Sequence, residues 1–163
     1  MMRLSKLADY AVVILSALAI RPESQHAATR LADYTRLPVP TVAKVLKRMA
    51  KANIVYASRG AAGGYRLTKP ATEVTIAEIV EAIDGPISIM SCVGDKAKEE
   101  PCGREDVCPI YGRWEPLNDA INRVFATITL QQLVLSEQKA METMLMGAPC
   151  EETACNPAMC RGA

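Results

Sequence analysis

From the start of the chain, apolar side chains fall at Leu4, Leu7, Ala11, Ile14 and Leu18. This three-to-four spacing lines one face of a helix. Ser5 is placed to cap that helix and Arg21-Pro22 to stop it near Ile20. A second helix is predicted over residues 27–35, burying Ala28, Leu31 and Ala32, followed by a tight turn through Arg36-Leu37. A third opens within residues 38–41, where proline is tolerated because a first-turn N–H has no helical partner. It buries Val42, Val45, Leu46 and Met49 and turns Thr41, Lys44, Lys47, Arg48 and Lys51 elsewhere.

The period then changes. Residues 54–58 and 65–68 read as two short strands, and the glycine-rich run 59–64 between them suits a hairpin turn. Three helices followed by a basic hairpin predict a winged helix-turn-helix. Thr75 with Glu78 forms a capping box for a fourth helix with Ile76, Ile79, Val80 and Ile83 on its apolar face, closed by Gly85-Pro86. Residues 88–112 lose all periodicity and read as a loop. A long helix then resumes with Trp114, Leu117, Ile121, Val124 and Ile128. Thr129 and Gln132 are spaced to recap the chain before Leu130, Leu133, Val134, Met141, Met144 and Leu145 extend the pattern. Such a seam, with no following domain to cover it, suggests a partner subunit.

The expected architecture is therefore mainly α with a small β-hairpin wing. Residues 1–86 form the winged helix-turn-helix, 87–112 a cysteine-rich loop, 113–146 dimerisation helices, and 147–163 a disordered tail.

Charge sharpens this picture. Residues 1–70 hold twelve Lys or Arg against three acids, Asp9, Glu23 and Asp33, giving +9; the remainder holds seven against fifteen, giving −8. A basic half of that density is an electrostatic footprint for a polyanion. Pro40, Thr41 and Lys44 lie early on the third helix, where such modules face the major groove, whereas Lys47, Arg48 and Lys51 suit phosphates. Arg59 and Gly60 sit at the wing, and Arg59 is placed to reach a minor groove. The apolar run at residues 10–20 is too short to span a bilayer, and its helical stripe argues against a signal peptide. The expectation is a cytoplasmic protein with no membrane partner, whose cysteines stay reduced.

Cys92, Cys102 and Cys108 supply three soft thiols to the aperiodic loop. Thiolates of this kind serve iron–sulfur clusters and zinc alike, and free or redox-switching thiols are a third reading. The loop lacks the paired Cys-x2-Cys knuckles usual for zinc. The same lack, with no histidine near the cysteines, argues against a thiol redox enzyme. Cys150, Cys155 and Cys160 share no helical face and receive no role.

Several of these residues also form a recognisable series. Arg3-Leu4-Ser5, Asp9-Tyr10-Ala11-Val12, Arg59-Gly60 with Gly63-Gly64-Tyr65-Arg66-Leu67, and Glu78 to Ile83 come first. The three cysteines and Ile128-Thr129-Leu130 with Leu133 follow. Over residues 2–135 this order resembles the IscR, NsrR and RirA family of bacterial regulators. The resemblance implies a homodimer on a pseudo-palindromic DNA operator, with a 2Fe–2S or 4Fe–4S cluster in the loop controlling DNA binding. The cysteine spacing is most similar to the group that regulates SUF cluster-assembly genes, which makes a repressor or activator of such genes the expectation. IscR-like members place a histidine three residues after the third cysteine, where this chain has Tyr111. NsrR-like relatives use an aspartate of the other subunit's first helix, and Asp9 stands at the matching position. Tyr111, a tail cysteine or a small exogenous ligand are the alternatives for that fourth place.

Overall fold

The computed structural model describes residues 4–60, 63–94 and 102–134 of the 163-residue chain. Arg3, the two alanines at the wing tip, the apolar pattern from Met141 to Leu145 and the three tail cysteines lie outside the described residues. In chain order the elements are α1 (Lys6–Ala19), α2 (Ala28–Thr35), α3 (Val39–Lys51), β1 (Val55–Ser58), β2 (Gly64–Leu67), α4 (Ile76–Asp84) and α5 (Glu115–Thr127). A further helical stretch begins at Leu130. Among the described residues no helix is long and apolar enough to cross a membrane.

Helix α1 begins where expected because the Ser5 side chain accepts the Ala8 N–H at 3.1 Å. The same hydroxyl donates to Asp84 at the end of α4, 2.7 Å away, so one serine caps one helix and ties it to another. Ile14, Leu15 and Leu18 of α1 are fully buried with Leu31 of α2, Val42, Val45, Leu46 and Met49 of α3, and Ile79 of α4. Each aliphatic side chain removed from water contributes about 1.5–3 kcal/mol. The turn between α2 and α3 puts Arg36 in the left-handed region at φ 55°, and Leu37 N–H reaches back to the Ala32 carbonyl at 3.2 Å. The capping box of α4 is complete: Glu78 N–H donates to the Thr75 hydroxyl, and the Glu78 carboxylate accepts the Thr75 N–H at 2.9 Å. Burial alone would raise the Glu78 carboxyl, but hydrogen bonds from Lys69 and Thr75 outweigh it and hold the group below its ordinary value.

Strands β1 and β2 pair antiparallel from Val55 opposite Leu67 to Ser58 opposite Gly64. The wing has an extra edge that the sequence did not reveal. His26 exchanges two 2.9 Å backbone hydrogen bonds with Tyr65 and so joins the start of the helix-turn-helix to the wing. The two backbones approach so closely that a Cβ at Gly64 would lie 2.8 Å from the His26 carbonyl oxygen.

A second difference lies at the end of α5. The helix stops at Thr127, and Ile128, expected within it, is extended at φ −87°, ψ 125°. The reason is a set of non-local hydrogen bonds: Ile76 N–H to the Ile128 carbonyl at 2.9 Å, Leu130 N–H to Val74 at 2.8 Å, and Gln131 N–H to Ala71 at 3.0 Å. Gln132 accepts the Thr129 N–H at 2.9 Å, the predicted recapping contact. Helix α4 thus packs on α1 and α3, while α5 packs on α4.

Gly64→Ala should destabilise the fold by about 1–3 kcal/mol, because backbone on both sides must give way. Urea unfolding monitored by circular dichroism checks this. An unchanged midpoint would mean that the His26–Tyr65 bridge is loose.

Candidate nucleic-acid interface and cysteine loop

Helix α3 is the most sharply two-sided helix among the described residues. Its buried stripe, Val42, Val45, Leu46 and Met49, faces the core, and Lys44, Lys47 and Lys51 are exposed on another face. Spaced by three and four, these lysines form one cationic row. Pro40 is exposed and Thr41 half-buried in the first turn, which Pro38 opens by accepting the Thr41 N–H at 2.9 Å. Arg48 stands apart from this row. It is half-buried, and its Nη1 donates to the Ile83 carbonyl at the end of α4. Its guanidinium therefore satisfies a helix-end carbonyl that would otherwise lack a partner.

The wing tip presents Arg59 and Gly60, both exposed. Gly60 has φ 111°, a conformation that only glycine adopts without strain. Ser58 anchors the base of the tip: its hydroxyl donates to the Gln25 side chain and accepts the Gly64 N–H. Arg66, not singled out from the sequence, lies 5.1 Å from the centroid of the Tyr56 ring directly opposite it. Such a cation–π contact holds a positive charge at a fixed place on the wing. Strict pairing of the two strands, which places Tyr56 against Arg66, is the signal that would have found it.

The described parts of the cysteine segment, residues 88–94 and 102–112, are built from turns. Cys92, Cys102 and Cys108 are half-buried free thiols. Cys92 lies in a turn in which the Ser88 hydroxyl is 2.7 Å from the Met90 carbonyl and 2.8 Å from that of Val93. Val93 is 1% exposed and plugs this turn into the protein. Cys108 accepts the Tyr111 N–H at 3.2 Å, opening the turns that lead into α5. The Tyr111 phenol is pushed above its ordinary value by the Glu105 carboxylate first, then by burial and by the Cys92 and Cys102 thiols.

As a donor set, three unpaired thiols on one segment fit a thiophilic metal or an iron–sulfur cluster. They are not drawn together: no group of three or more His, Cys, Asp or Glu side chains among the described residues stands close enough to hold a metal. Asp9 is exposed in the first turn of α1 and belongs to no such group. Beyond the cysteines, α5 leaves Leu117 46% and Val124 55% exposed, with Ile121 half-buried between them, an apolar face of the kind predicted from the sequence. A cavity of about 340 Å³ between α1 and α2 is lined by Arg21, His26, Arg30 and Tyr34 among others, and by no cysteine.

Comparison with known proteins accords with this arrangement. The model of the Rrf2 family, described as an iron-dependent transcriptional regulator, matches residues 4–136. The HTH-type transcriptional regulator IscR of Photorhabdus laumondii is 30% identical over 140 residues, covering 84% of this chain and 82% of that protein. Among solved structures, CymR, the global cysteine regulator of B. subtilis, superposes with a TM-score of 0.64 at 26% identity, covering 83% of this chain and 98% of CymR. IscR of T. potens has the same fold, with a TM-score of 0.63 at 21% identity over 85% of this chain and 90% of that one.

Lys47→Ala and Arg48→Ala should separate cleanly. Loss of the exposed Lys47 should weaken binding to all duplexes alike and make the salt slope shallower by about one unit, with stability changed by less than about 0.5 kcal/mol. Loss of Arg48 removes a charged hydrogen bond to Ile83 and should cost about 1.5–3 kcal/mol in urea unfolding. Equal stabilities for the two variants would contradict the placement of Arg48.

Proposed function

The chain belongs to the Rrf2 family of transcriptional regulators, and on that premise we propose that it is a cytoplasmic homodimer whose DNA binding is governed by an iron–sulfur cluster on Cys92, Cys102 and Cys108. The observation that carries this reading is the trio of free, half-buried thiols on the segment between α4 and α5. Its targets are genes of iron–sulfur cluster assembly of the SUF type, acting there as a repressor. This assignment follows the cysteine spacing and the family's iron dependence.

On DNA, Pro40, Thr41 and Lys44 read base edges from the start of α3, while Lys47, Lys51 and Arg48 serve the phosphates, Arg48 with only part of its guanidinium free. Arg59, at the exposed tip that Gly60 shapes, enters the adjacent minor groove. Two copies joined through Leu117, Ile121 and Val124 present two such heads to a pseudo-palindromic operator.

When bound, the cluster supplies a centre that oxidants or shortage of iron can remove. Cys92, Cys102 and Cys108 are its soft ligands, and Asp9 of the partner subunit is the fourth. A carboxylate is a harder and weaker partner for sulfide-bridged iron than a thiolate, which favours ready loss. Asp9 and the cysteines together link α1 of one protomer to the loop of the other. Making or breaking that link shifts the spacing of the two α3 helices, a difference between two states that an effector can bias.

A second reading is favoured by one observation, the absence of a closed ligand group among the described residues. In it the same thiols answer an oxidant, nitric oxide, iron or another metal without a stable cluster. Visible absorption of anaerobically purified protein separates the two. Sulfide-to-iron bands in the wild type, absent from Cys92→Ala, Cys102→Ala and Cys108→Ala, support the cluster; a colourless wild type sinks it. Asp9→Ala should lose its colour faster in air than the wild type, and Asp9→Cys more slowly. Identical decay of all three would remove Asp9 from the site and leave the cysteines in place.

A further inference from the structure

Helix α5 carries a residue that its seam does not explain. Asn118 is only 3% exposed and is the one buried polar side chain among the described residues. In a helix interior asparagine is less favourable than alanine, and burying its amide adds a further penalty unless it is hydrogen-bonded. Packing α5 on α4 alone would be better served by an aliphatic residue. What the amide does is hold the turn that carries Cys92.

The Asn118 Oδ1 accepts the Ile89 N–H at 3.2 Å. Its Nδ2 faces the other end of the same turn: a Cβ added to Gly94 would lie 3.5 Å from it, and Gly94 is itself left-handed at φ 69°. One turn further along α5, Asn122 Nδ2 donates to the Ile87 carbonyl at 3.3 Å. Two amides spaced by four residues on one helix face therefore grip residues 87–94, and Ser88 closes the turn from within. Cys92 lies inside this clamp. Among the described residues, the hydrogen bonds around Cys102 and Cys108 are local, Val107 N–H to Arg104 and Tyr111 N–H to Cys108.

We propose that Asn118 is the positioning residue for Cys92: it fixes that thiol to the helix that also bears the exposed Leu117 and Val124 face, and it leaves the other two thiols to their own turns. Leu117, Ile121 and Val124 run along α5 one step round from Asn118, Asn122 and Phe125. Any rotation or shift of α5 at its apolar face is thus delivered to Cys92 through a rigid hydrogen-bonded turn. The proposal deepens the cluster reading and takes its functional meaning from it, but its geometry concerns the metal-free chain.

The test uses metal-free, full-length protein under reducing conditions, labelled with a limiting maleimide and read cysteine by cysteine by mass spectrometry. Labelling of a half-buried thiol follows local opening. Asn118→Ala leaves the Ile89 N–H without its partner and should speed Cys92 by about fivefold or more while Cys108 stays within about twofold. Asn118→Ser, too short to reach Ile89, should do the same and serves if the alanine variant folds poorly. Asn118→Asp keeps an acceptor oxygen and should restore most of the Cys92 protection. A general loosening would speed Cys92, Cys102 and Cys108 together, and that result, or an unchanged Cys92 rate, overturns the proposal. If Cys92 alone responds but the wild type forms no cluster on reconstitution, the positioning role stands and the cluster reading falls.

Discussion

The structure depends on the packing of α4. Its apolar stripe, Ile76, Ile79, Val80 and Ile83, is buried against α1 and α3, and α5 packs on the same helix. Nine residues thereby join a DNA-reading head to the segment that carries the thiols. Polar contacts fix the end of α4 as well: Ser5 holds Asp84, and Arg48 holds the Ile83 carbonyl. An apolar stripe alone would let the helix slide or turn, since burial is non-directional. The directional bonds at its last turn set its rotation relative to α1 and α3.

Helix α5 is held to that hub at both ends. Asn118 and Asn122 bind the chain just after α4, and the Ile128–Gln131 segment bonds the chain that enters it. The consequence is mechanical. Close-packed interiors transmit displacement instead of absorbing it, so on the proposed function a change in the cysteine turn would reach α4 through hydrogen bonds and α3 through packed aliphatic side chains. The charge division of the chain suits the same plan. The positive half carries the lysine row of α3 and the wing arginines, and the negative half carries the thiols and α5.

Most of this fold was legible from periodicity because its core is aliphatic and its helices carry explicit start signals. Ser5, the Thr75–Glu78 box and the Thr129–Gln132 pair all act as their spacing suggested. What escaped were features made by non-local backbone approach. Nothing in the local sequence marks His26 as a strand partner of Tyr65; only the need for glycine at position 64 hints at a close neighbour. Ile128 keeps the helical spacing yet is extended, because its carbonyl serves Ile76. Arg48 looked like one more surface cation on a basic helix, and a charge pattern cannot tell a solvated guanidinium from one bound to a helix-end carbonyl. Asn118 carried no signal except its presence among apolar neighbours. The cysteines were readable as soft donors, whereas their spatial relation is a property of turns and not of spacing.

On the proposed function the cysteine loop and the reading head act as one body, so that the state of the thiols sets the affinity for DNA. This coupling is tested most directly by titrating one anaerobic preparation, before and after removal of its cluster, against an operator duplex selected from a random pool by the protein. At equal salt the two forms should differ in Kd by about 5- to 150-fold, the usual range of coupling between two sites. Indistinguishable affinities, with both forms folded and dimeric, would contradict the account.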